Sequence, residues 1–372
     1  MKAIPTAEQR EFASSMRALL AAECPVTVVR ALQEPGADRS TPTLWKALAG
    51  AGVFGLAIAE EYGGSGGSLQ DLGVFYTETG RALCPTTAHS SILAALAVDL
   101  LGGPEAKAAL LSRLANGTLR GSTALWNAGD AAAVAPVLAA DASPKGFRLN
   151  GTADYVADAD VAELIVISAA ADERTLVLAV DTHTAGLTVE PLAMAGGHRA
   201  FTLRFDDVTV GADALIGGDG SADALRRVAN TAVALGSLDL VGVCEAVLER
   251  TVDYTTLRQQ FGRPIASFQA AQHLIANMHI ALSGARLAAQ SAVFWLAQGH
   301  TATRETAIAR MHAADAARLI TLDAHQLHGG MGYVTETDLH LWSERARLAS
   351  TFGGGGDVAA AWLEETLEDS SG

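Results

Sequence analysis

Apolar residues in the first third of the chain recur at the spacing of an α-helix. Thr6, with Gln9 three residues later, is typical of a helix N-terminus. A glycine-rich loop at 63–67 interrupts the pattern, and Gly103-Pro104 predicts the start of another helix. The pattern therefore predicts a mainly helical region from Thr6 to about residue 114. The residues that share the first helical face are Phe12, Met16, Leu19 and Leu20.

Between about residues 121 and 217 the pattern changes to short apolar stretches separated by turn residues. Residues 146–151 show the alternation and the turn residues of a hairpin. Further short strands are predicted at 163–168, 175–180, 187–190, 201–205 and 208–210. Strands at this spacing predict a compact β-barrel or sandwich of about a hundred residues.

Helical periodicity returns after Ser221 and continues to Glu368. Three long segments, 223–260, 269–298 and 303–328, have lengths typical of a four-helix bundle with antiparallel neighbours. At 372 residues, the chain exceeds what one hydrophobic core usually organises. We therefore expect an α+β multidomain protein: an N-terminal helical bundle at 1–118, a middle β-barrel or sandwich at 119–219, and a C-terminal four-helix bundle at 220–372.

Charge and cysteine usage narrow the classes of partner. A net charge of −15 argues against a nucleic-acid-binding or anionic-membrane-binding protein, because both need a basic surface. The partners are expected to be proteins and small molecules. The three cysteines, Cys24, Cys84 and Cys244, lie far apart in sequence and form no Cys-x-x-Cys pair. We expect small buried residues in a reducing compartment.

The sequence shows no pattern typical of a secretory signal, a membrane span or a metal site. The N-terminus lacks the apolar core of a secretory signal, and apolar runs such as 92–98 are too short to span a bilayer. The sequence predicts a cytoplasmic protein without a membrane span. No acidic or cysteine partner completes a metal-binding spacing with the helix-borne histidines, so we expect no metal. Those histidines are His273, His279, His312, His325 and His328.

Two stretches near the C-terminus carry a family resemblance. Residues 258–265 read RQQFGRPI and are followed by Phe268-Gln269, and residues 326–333 read QLHGGMGY. These resemble, in order, the two signatures of the C-terminal bundle of acyl-CoA dehydrogenases. A weaker match, GVFGL at 52–56 with EEYGGSG at 60–66, resembles a loop of that family's N-terminal bundle. Together the resemblance spans nearly the whole chain.

The resemblance implies a bound FAD shared between the β-domain of one subunit and the C-terminal bundle of its neighbour. Arg258 would offer a guanidinium to the pyrophosphate, since its planar fork suits phosphate oxygens. Phe261 would lie beside the adenine half, and Gln269 would add a hydrogen bond. The residues expected to allow close approach of the neighbour's backbone are Gln326, Gly329 and Gly330. The alternative is a surface arginine before a glycine helix stop, and a helix that simply ends at Gly329.

The family's chemistry is α,β-desaturation of an acyl-CoA thioester, in which a glutamate removes the α-proton. By the family's spacing this glutamate falls on Gly353, preceded by Phe352. Some members carry it instead on the first long helix of the bundle, at the position of Ala232. Neither residue can accept a proton, so no catalytic residue is predicted. The acids left as candidates for a displaced base are Asp239, Glu245 and Asp357.

The flavin-ring segments of the β-domain also depart from the family. Residues 124–130 read ALWNAGD where Thr-Glu-Pro and Gly-Ser-Asp segments would bind the isoalloxazine. Residues 155–157 read YVA where an aromatic-Ile-Thr segment would place a hydroxyl. The adenine-side residues are thus present, whereas the ring-side residues are altered.

This asymmetry is expected of one subunit in a hetero-oligomer. The pattern is similar to the heteromeric acyl-CoA dehydrogenases of actinobacterial steroid side-chain breakdown. It implies an α2β2 assembly with a paralogous acyl-CoA dehydrogenase subunit, an acyl-CoA substrate, and an electron-transfer flavoprotein as partner. Two alternatives stay open: a self-sufficient homo-oligomeric flavoenzyme with a displaced base, and a non-enzymatic scaffold that binds no flavin.

Overall fold

A computed structural model describes residues 4–34, 36–127, 132–172, 174–194, 199–217, 222–351 and 354–369. Its helices are α1 (Ala7–Glu23), α2 (Val26–Gln33), α3 (Pro42–Gly50), α4 (Leu69–Ala82), α5 (Thr87–Leu101), α6 (Pro104–Ala115), α7 (Ala222–Leu257), α8 (Gln269–Ala297), α9 (Thr303–His328), α10 (Leu339–Ala349) and α11 (Gly356–Asp369). Its strands are β1 (Gly121–Ala124), β2 (Leu138–Ser143), β3 (Gly146–Ala157), β4 (Leu164–Ala171), β5 (Arg174–Asp181), β6 (Leu187–Pro191), β7 (Ala200–Gly211), β8 (Leu215–Gly217), β9 (Gln259–Gln260) and β10 (Arg263–Pro264). The predicted order of helices, strands and helices is confirmed.

Local signals in the sequence set the helix ends. Thr6 caps α1: its hydroxyl accepts the N–H of Gln9 at 3.1 Å, and the Gln9 side chain accepts the N–H of Thr6 at 3.1 Å. This capping box satisfies two backbone donors that a helix start leaves without partners. Helix α6 starts at Pro104 behind Gly103, as predicted. The three long C-terminal helices match their predicted segments, except that α7 ends at Leu257 and residues 259–260 form a strand.

The chain forms two compact units. The first comprises Met1–Ala31, Gly73–Cys84 and Val233–Gly372, and the second comprises Leu32–Leu72 and Pro85–Ala232. The boundaries of the three domains expected from the sequence stay a prediction.

The second unit is built on a mixed β-sheet. Its strand order is β6-β7-β3-β2-β4-β5-β8, and β1 pairs beside β4. The pairs β1–β4 and β2–β4 are parallel, while the other pairs are antiparallel. The strands predicted at 201–205 and 208–210 form the single strand β7, which pairs with β3 across a bulge. The fully buried core side chains include Leu149, Ile165, Ile167, Leu178, Leu203 and Val208.

A buried carboxylate secures helical segments to the sheet within this second unit. Asp158, just after β3, accepts hydrogen bonds from Thr86 at 3.0 Å and Ser90 at 2.7 Å, and pairs with Arg39 at 3.5 Å. Burial raises the pKa of Asp158, while the charge of Arg39 and the two hydroxyls act in the opposite direction. A buried charge needs such partners, so this cluster fixes the turn after β3.

In the first unit, α4 and α7 cross at backbone contact. A Cβ at Gly80 would lie 1.9 Å from the carbonyl oxygen of Asp239, and one at Gly242 would lie 1.9 Å from that of Thr77. Any side chain at either glycine would force the helices apart. This crossing lies in the core of the unit, whose buried members include Val243, Val247, Met278, Leu282, Ile320 and Trp342.

Buried and half-buried ion pairs surround this crossing. Arg345 on α10 holds Asp239 through two hydrogen bonds of 2.9 and 3.0 Å, and both side chains are buried. Glu245 on α7 lies between Arg81 and Arg286, with 2.8 Å to each guanidinium. Removing a carboxylate from water is costly unless a cation pairs with it. Because α4, α7 and α10 pack together and bury these carboxylates, the arginines are needed as their partners.

Two helices qualify as membrane spans by length and composition alone. They are α7 and α8. Neither helix is an uninterrupted apolar run, since α7 carries Asp239 and Glu245 and α8 carries Arg286. The reason for the apolarity of α7 is tertiary packing, because 83% of its most apolar window is buried inside the protein. Only 33% of the corresponding window of α8 is buried, so that helix keeps apolar residues at the surface.

We expect Gly242→Ala to lower the free energy of unfolding by about 3 kcal/mol, because its Cβ would overlap the α4 backbone. Gly236→Ala is the matched control on the same helix, since a Cβ there meets nothing within 4 Å. It should be neutral or stabilising by up to about 1 kcal/mol. Urea or thermal unfolding of the three proteins measures both. Equal midpoints for the two variants would contradict the close crossing.

Candidate functional site

Two aromatic rings bring the C-terminal motifs together. The ring of Tyr254 on α7 stacks on His328 at the end of α9, with centroids 4.3 Å apart, and its hydroxyl donates to the His328 carbonyl at 3.4 Å. Arg258 lies one turn after Tyr254, and Gln326 lies half a turn before His328. The two motifs therefore lie at the same end of the helical bundle. Sequence reasoning missed Tyr254, although its position one turn before Arg258 was a usable signal.

Arg258 lies where α7 turns into a hairpin. Its N–H still donates to the Tyr254 carbonyl at 2.8 Å, and its carbonyl accepts the N–H of Ile265 at 2.9 Å. The second bond closes the β9–β10 hairpin directly behind the arginine. The guanidinium is exposed, so the backbone is fixed while the side chain is free to meet a ligand.

Phe261 occupies the tip of this hairpin in a strained conformation. The β9–β10 register leaves Phe261 and Gly262 as a two-residue loop, and both have positive φ, at 53° and 78°. Such loops prefer Asn or Gly at the first position, because a bulky residue with positive φ is strained. The Phe261 side chain is nevertheless 94% exposed. Strain without burial indicates a role outside the chain's own core.

Gln269 is the first residue of α8, directly behind the hairpin. The preceding residue, Phe268, lies under the Arg263 guanidinium at 4.1 Å from the ring centroid, and meets the Phe261 ring edge-on at 6.2 Å. These contacts brace the hairpin against the start of α8. The amide of Gln269 is thereby held on the same surface as Phe261, and it is exposed.

The second motif forms the end of α9 and the turn after it. Gln326 is exposed on the last turn, and Gly329 caps the helix with a φ of 58°. A Cβ at Gly330 would meet nothing within 4 Å, whereas one at Gly332 would lie 3.0 Å from the His325 carbonyl. Internal packing therefore explains Gly332 but not Gly330. A glycine with open space in front of it lets an external group approach the backbone.

These side chains have unused hydrogen-bonding capacity. Within the described part of the chain, Arg258, Gln269 and Gln326 form no side-chain hydrogen bond or ion pair. A guanidinium suits phosphate oxygens, and the amides suit the polar edges of a sugar or a base. The exposed Phe261 ring adds a surface on which a base can stack. The donor set fits the adenosine and pyrophosphate half of FAD.

Neither of the two positions at which the family resemblance places a catalytic glutamate carries a carboxylate. Gly353, with Phe352, lies outside the described residues. Ala232 lies half-buried on α7 and offers only a methyl group. Asp357 is exposed in the first turn of α11.

The two remaining acids are already engaged. Both oxygens of Asp239 accept hydrogen bonds from Arg345, and Glu245 is shared between Arg81 and Arg286. Proton uptake by either carboxylate would leave a guanidinium with its partner neutralised in a buried or half-buried place. Their geometry is that of structural ion pairs.

The segments at 124–130 and 155–157, where the family resemblance places the flavin ring, offer it few polar side chains among the described residues. Leu125 is buried and its carbonyl accepts the Ser168 hydroxyl at 2.7 Å, while residues 128–130 lie outside the described residues. Tyr155 lies in the β3 bulge with a φ of 58°, and Ala157 presents a methyl where the family pattern has a hydroxyl. The side chains of Leu125 and Ala157 therefore offer no polar atom to a flavin ring.

The C-terminal helices carry an exposed apolar surface. Between α7 and the start of α8 lies an open groove of about 430 Å³. Its lining is mostly apolar: Leu248, Val252, Thr255, Ala266, Gln272, Ile275, Ala276 and His279. Several large apolar side chains also lie exposed on these helices, and such residues suit contact with another chain. The large exposed apolar residues of this region are Val252, Leu257, Phe261, Ile280, Leu287, Trp295, Leu322, Met331 and Tyr333.

A metal centre was not expected from the sequence. Among the residues that the structure describes, no group of three or more His, Cys, Asp or Glu side chains could hold a metal ion.

Comparison with known proteins matches both terminal parts of the chain to one family. Residues 6–118 match the acyl-CoA dehydrogenase N-terminal domain, and residues 218–367 match the acyl-CoA dehydrogenase C-terminal domain. The chain is 31% identical to acyl-CoA dehydrogenase IpdE2 of Mycolicibacterium smegmatis over 91% of this chain and 92% of that protein.

Two solved assemblies share the fold over nearly the whole chain. One is the Tcur3481-Tcur3483 steroid acyl-CoA dehydrogenase, at a TM-score of 0.88 and 28% identity, covering 98% of each chain. The other is the ChsE4-ChsE5 complex from Mycobacterium tuberculosis, at a TM-score of 0.88 and 26% identity, covering 100% of this chain and 99% of that one. With both terminal domains matched and the relative aligned over nine-tenths of its length, this chain belongs to the acyl-CoA dehydrogenase family.

Proposed function

We propose that this chain is one subunit of an FAD-dependent acyl-CoA dehydrogenase. It completes the adenine and pyrophosphate half of a partner subunit's FAD site and supplies no catalytic base of its own. One contrast supports this most. Arg258, Phe261 and Gly330 are exposed, and packing within the chain does not explain them, whereas Ala232 offers no carboxylate where a catalytic base is expected. FAD, when bound, accepts the β-hydrogen of the acyl-CoA as hydride.

The residues of this chain then have binding roles. Arg258 holds a pyrophosphate oxygen pair with its planar fork, and Gln269 donates to the same ligand from the start of α8. Phe261 stacks beside the adenine half, and the closed hairpin holds its backbone in place before the ligand binds. Gly330 has no side chain, so the adenosine, or the partner subunit's backbone beside it, can come close to the backbone of this chain.

The partner is a paralogous acyl-CoA dehydrogenase subunit that carries the base and the flavin-ring segments. The exposed apolar surface of α7, α8 and α9 supports a permanent protein contact. Likeness to the two assemblies described above supports an α2β2 hetero-oligomer of the steroid type. We further propose an acyl-CoA substrate, an electron-transfer flavoprotein as electron acceptor, and a cytoplasmic location.

The alternatives have less support. A homo-oligomer with a displaced base would need Asp239 or Glu245 to leave its ion pairs, or Asp357 to act from an exposed helix start. A scaffold that binds no flavin has no need of Arg258 together with an open Gly330.

We expect the purified chain alone to retain little FAD and to show little acyl-CoA dehydrogenase activity. Co-expression with the paralogous partner subunit should give a complex with bound flavin and activity. Flavin absorbance after gel filtration and an electron-acceptor assay with several acyl-CoA chain lengths measure both. Robust turnover by the isolated homo-oligomer with stoichiometric FAD would contradict the heteromer.

Arg258→Ala should weaken FAD retention in the complex ten- to a hundredfold, because a lost charge-assisted pair to phosphate costs about 1.5–3 kcal/mol. Arg258→Lys should be intermediate, since it keeps the charge but not the fork. Arg304→Ala is the control, because Arg304 is an exposed cation at the opposite end of α9. Equal flavin content in all of these proteins would exclude the phosphate role.

Gly353→Glu should not create dehydrogenase activity in the isolated chain, because the segments for the flavin ring are altered as well. One restored residue cannot restore a two-part reaction. The matched control is Gly356→Glu, which adds the same charge in the same glycine run at a position with nothing within 4 Å of the new Cβ. New turnover by Gly353→Glu alone, and not by Gly356→Glu, would show a competent flavin site in this chain.

A further inference from the structure

Helix α8 presents an uncharged stripe of side chains to solvent along its whole length. Among its 29 residues the only Asp, Glu, Lys or Arg is Arg286, and Glu245 holds that guanidinium at 2.8 Å. Ile280 is 68% exposed and Leu287 is 48% exposed. Residues three or four apart lie on one face of a helix, so these two side chains and five others share one face. We call this face the α8 stripe, and its exposed or half-buried members are His273, Asn277, Ile280, Gly284, Leu287, Ser291 and Trp295.

Packing within the chain does not explain the centre of the α8 stripe. Gly284 lies at the middle of the helix, is exposed, and a Cβ there would meet nothing within 4 Å. Glycine in a helix interior is less stable than alanine, so this residue has a cost and no internal benefit. Its benefit is that another backbone can come close to α8 at this point. The neighbouring helix α9 differs, because its exposed side carries charged residues such as Asp315 and Arg318.

We propose that the α8 stripe binds the α8 stripe of a second copy of this chain, with the two helices antiparallel and crossing at Gly284. The members alternate at spacings of four and three residues, which is the spacing of a coiled-coil seam. Their order is also the same in both directions from Gly284, since Ile280 precedes it and Leu287 follows it. An antiparallel pair therefore places Ile280 of one copy against Leu287 of the other. The outer pairs are Asn277 with Ser291 and His273 with Trp295.

Charge favours a second copy over a lipid surface as the occupant. The chain carries a net charge of −15, so two copies repel each other over most of their surface and can approach at an uncharged stripe. Helix α8 is apolar enough to qualify as a membrane span by composition, and only 33% of its most apolar window is buried. A helix that lies on a membrane carries Lys and Arg on its polar side, however. The single arginine of α8 is already paired with Glu245.

The area of the contact indicates where it acts. A helix of 29 residues is about 43 Å long, and a seam about 10 Å wide along it covers about 400 Å² per chain. A stable interface covers about 800 Å² per partner, so the α8 pair alone is weak. In the α2β2 assembly, and here the inference rests on the proposed function, the α8 pair joins two heterodimers that are already held at their FAD sites. The exposed apolar residues of α7 and α9 then remain for the paralogous subunit.

The first experiment uses the co-expressed, flavin-containing complex, and light scattering after gel filtration gives its mass. Ile280→Glu should halve the mass, from α2β2 to αβ, without loss of bound flavin, because the new carboxylate would be buried without a partner. Leu287→Lys should do the same. The two substitutions in one chain should restore the full mass, since each carboxylate then meets an ammonium of the other copy. A parallel pair would not be restored, because equal charges would meet.

The matched control is His312→Glu, which adds the same charge to an exposed position of α9. Its complex should keep the full mass. An unchanged mass for Ile280→Glu, or an equal loss of mass for His312→Glu, would overturn the α8 contact. So would binding of the complex to phosphatidylcholine vesicles that Ile280→Glu abolishes without any change in mass.

The second experiment uses the chain alone, so that it does not depend on the paralogous subunit. Sedimentation velocity at increasing concentration should show a weak equilibrium between monomer and dimer. Ile280→Glu should abolish the dimer, and addition of Leu287→Lys should restore it. A chain that stays monomeric at all concentrations, or a dimer that Ile280→Glu leaves intact, would overturn the contact. Absence of a flavin-containing complex would instead contradict the proposed function, so the two failures give different results.

Discussion

The contact between the backbones of α4 and α7 is the constraint on which the first unit depends. It exists because Gly80 and Gly242 have no side chain, and either Cβ would lie 1.9 Å from a carbonyl oxygen of the facing helix. Two helices at this separation bring Asp239 into the core, where an unpaired carboxylate would be costly. Arg345 from α10 pairs with it, and Arg81 on α4 reaches Glu245 on α7. The ion pairs are thus consequences of the crossing.

This arrangement also limits the chemistry of the chain. The acids on the middle of α7 stabilise the fold, so they are unsuited to take a proton from a substrate. Where related enzymes carry a base on this helix, Ala232 contributes a methyl group. In contrast, the end of the same helix carries Arg258 on a closed hairpin, fixed in its backbone and exposed in its side chain. The middle of α7 therefore serves the fold, whereas its end presents a side chain that the fold does not use.

The residues discussed above fall into two groups: those whose identity is explained by contacts within this chain, and those whose identity is not. Gly332, Leu125 and Asp158 are explained by packing or hydrogen bonds inside their own unit. Phe261 and Gly330 are not, since one is strained and exposed and the other faces open space. Residues that the chain's own stability does not explain are those expected to serve a ligand or a partner. Exposed residues of this kind at one end of the bundle support the proposal that the chain completes a cofactor site shared with a partner subunit.

The sequence by itself determined the local structure and the family. The capping box at Thr6, the three long helices and most of the strands depend on neighbours within a few residues, which periodicity and turn chemistry report directly. The signatures at 258–265 and 326–333 carried the family assignment, because they fix residue types at fixed spacing. The sequence also shows that α7 is unusually apolar, but only the structure shows the reason, which is that 83% of its most apolar window is buried inside the protein.

Only the tertiary structure decided which distant residues meet. The stacking of Tyr254 on His328 and the pairing of Asp239 with Arg345 join residues far apart along the chain. Strand order in the sheet is of the same kind, because β1 pairs with β4 and β7 with β3. Such contacts depend on how helices and strands pack, and no local pattern records them. The sequence could therefore name candidate binding residues, while the fold had to show that two motifs share one end of the bundle and that Asp239 and Glu245 of α7 are already paired.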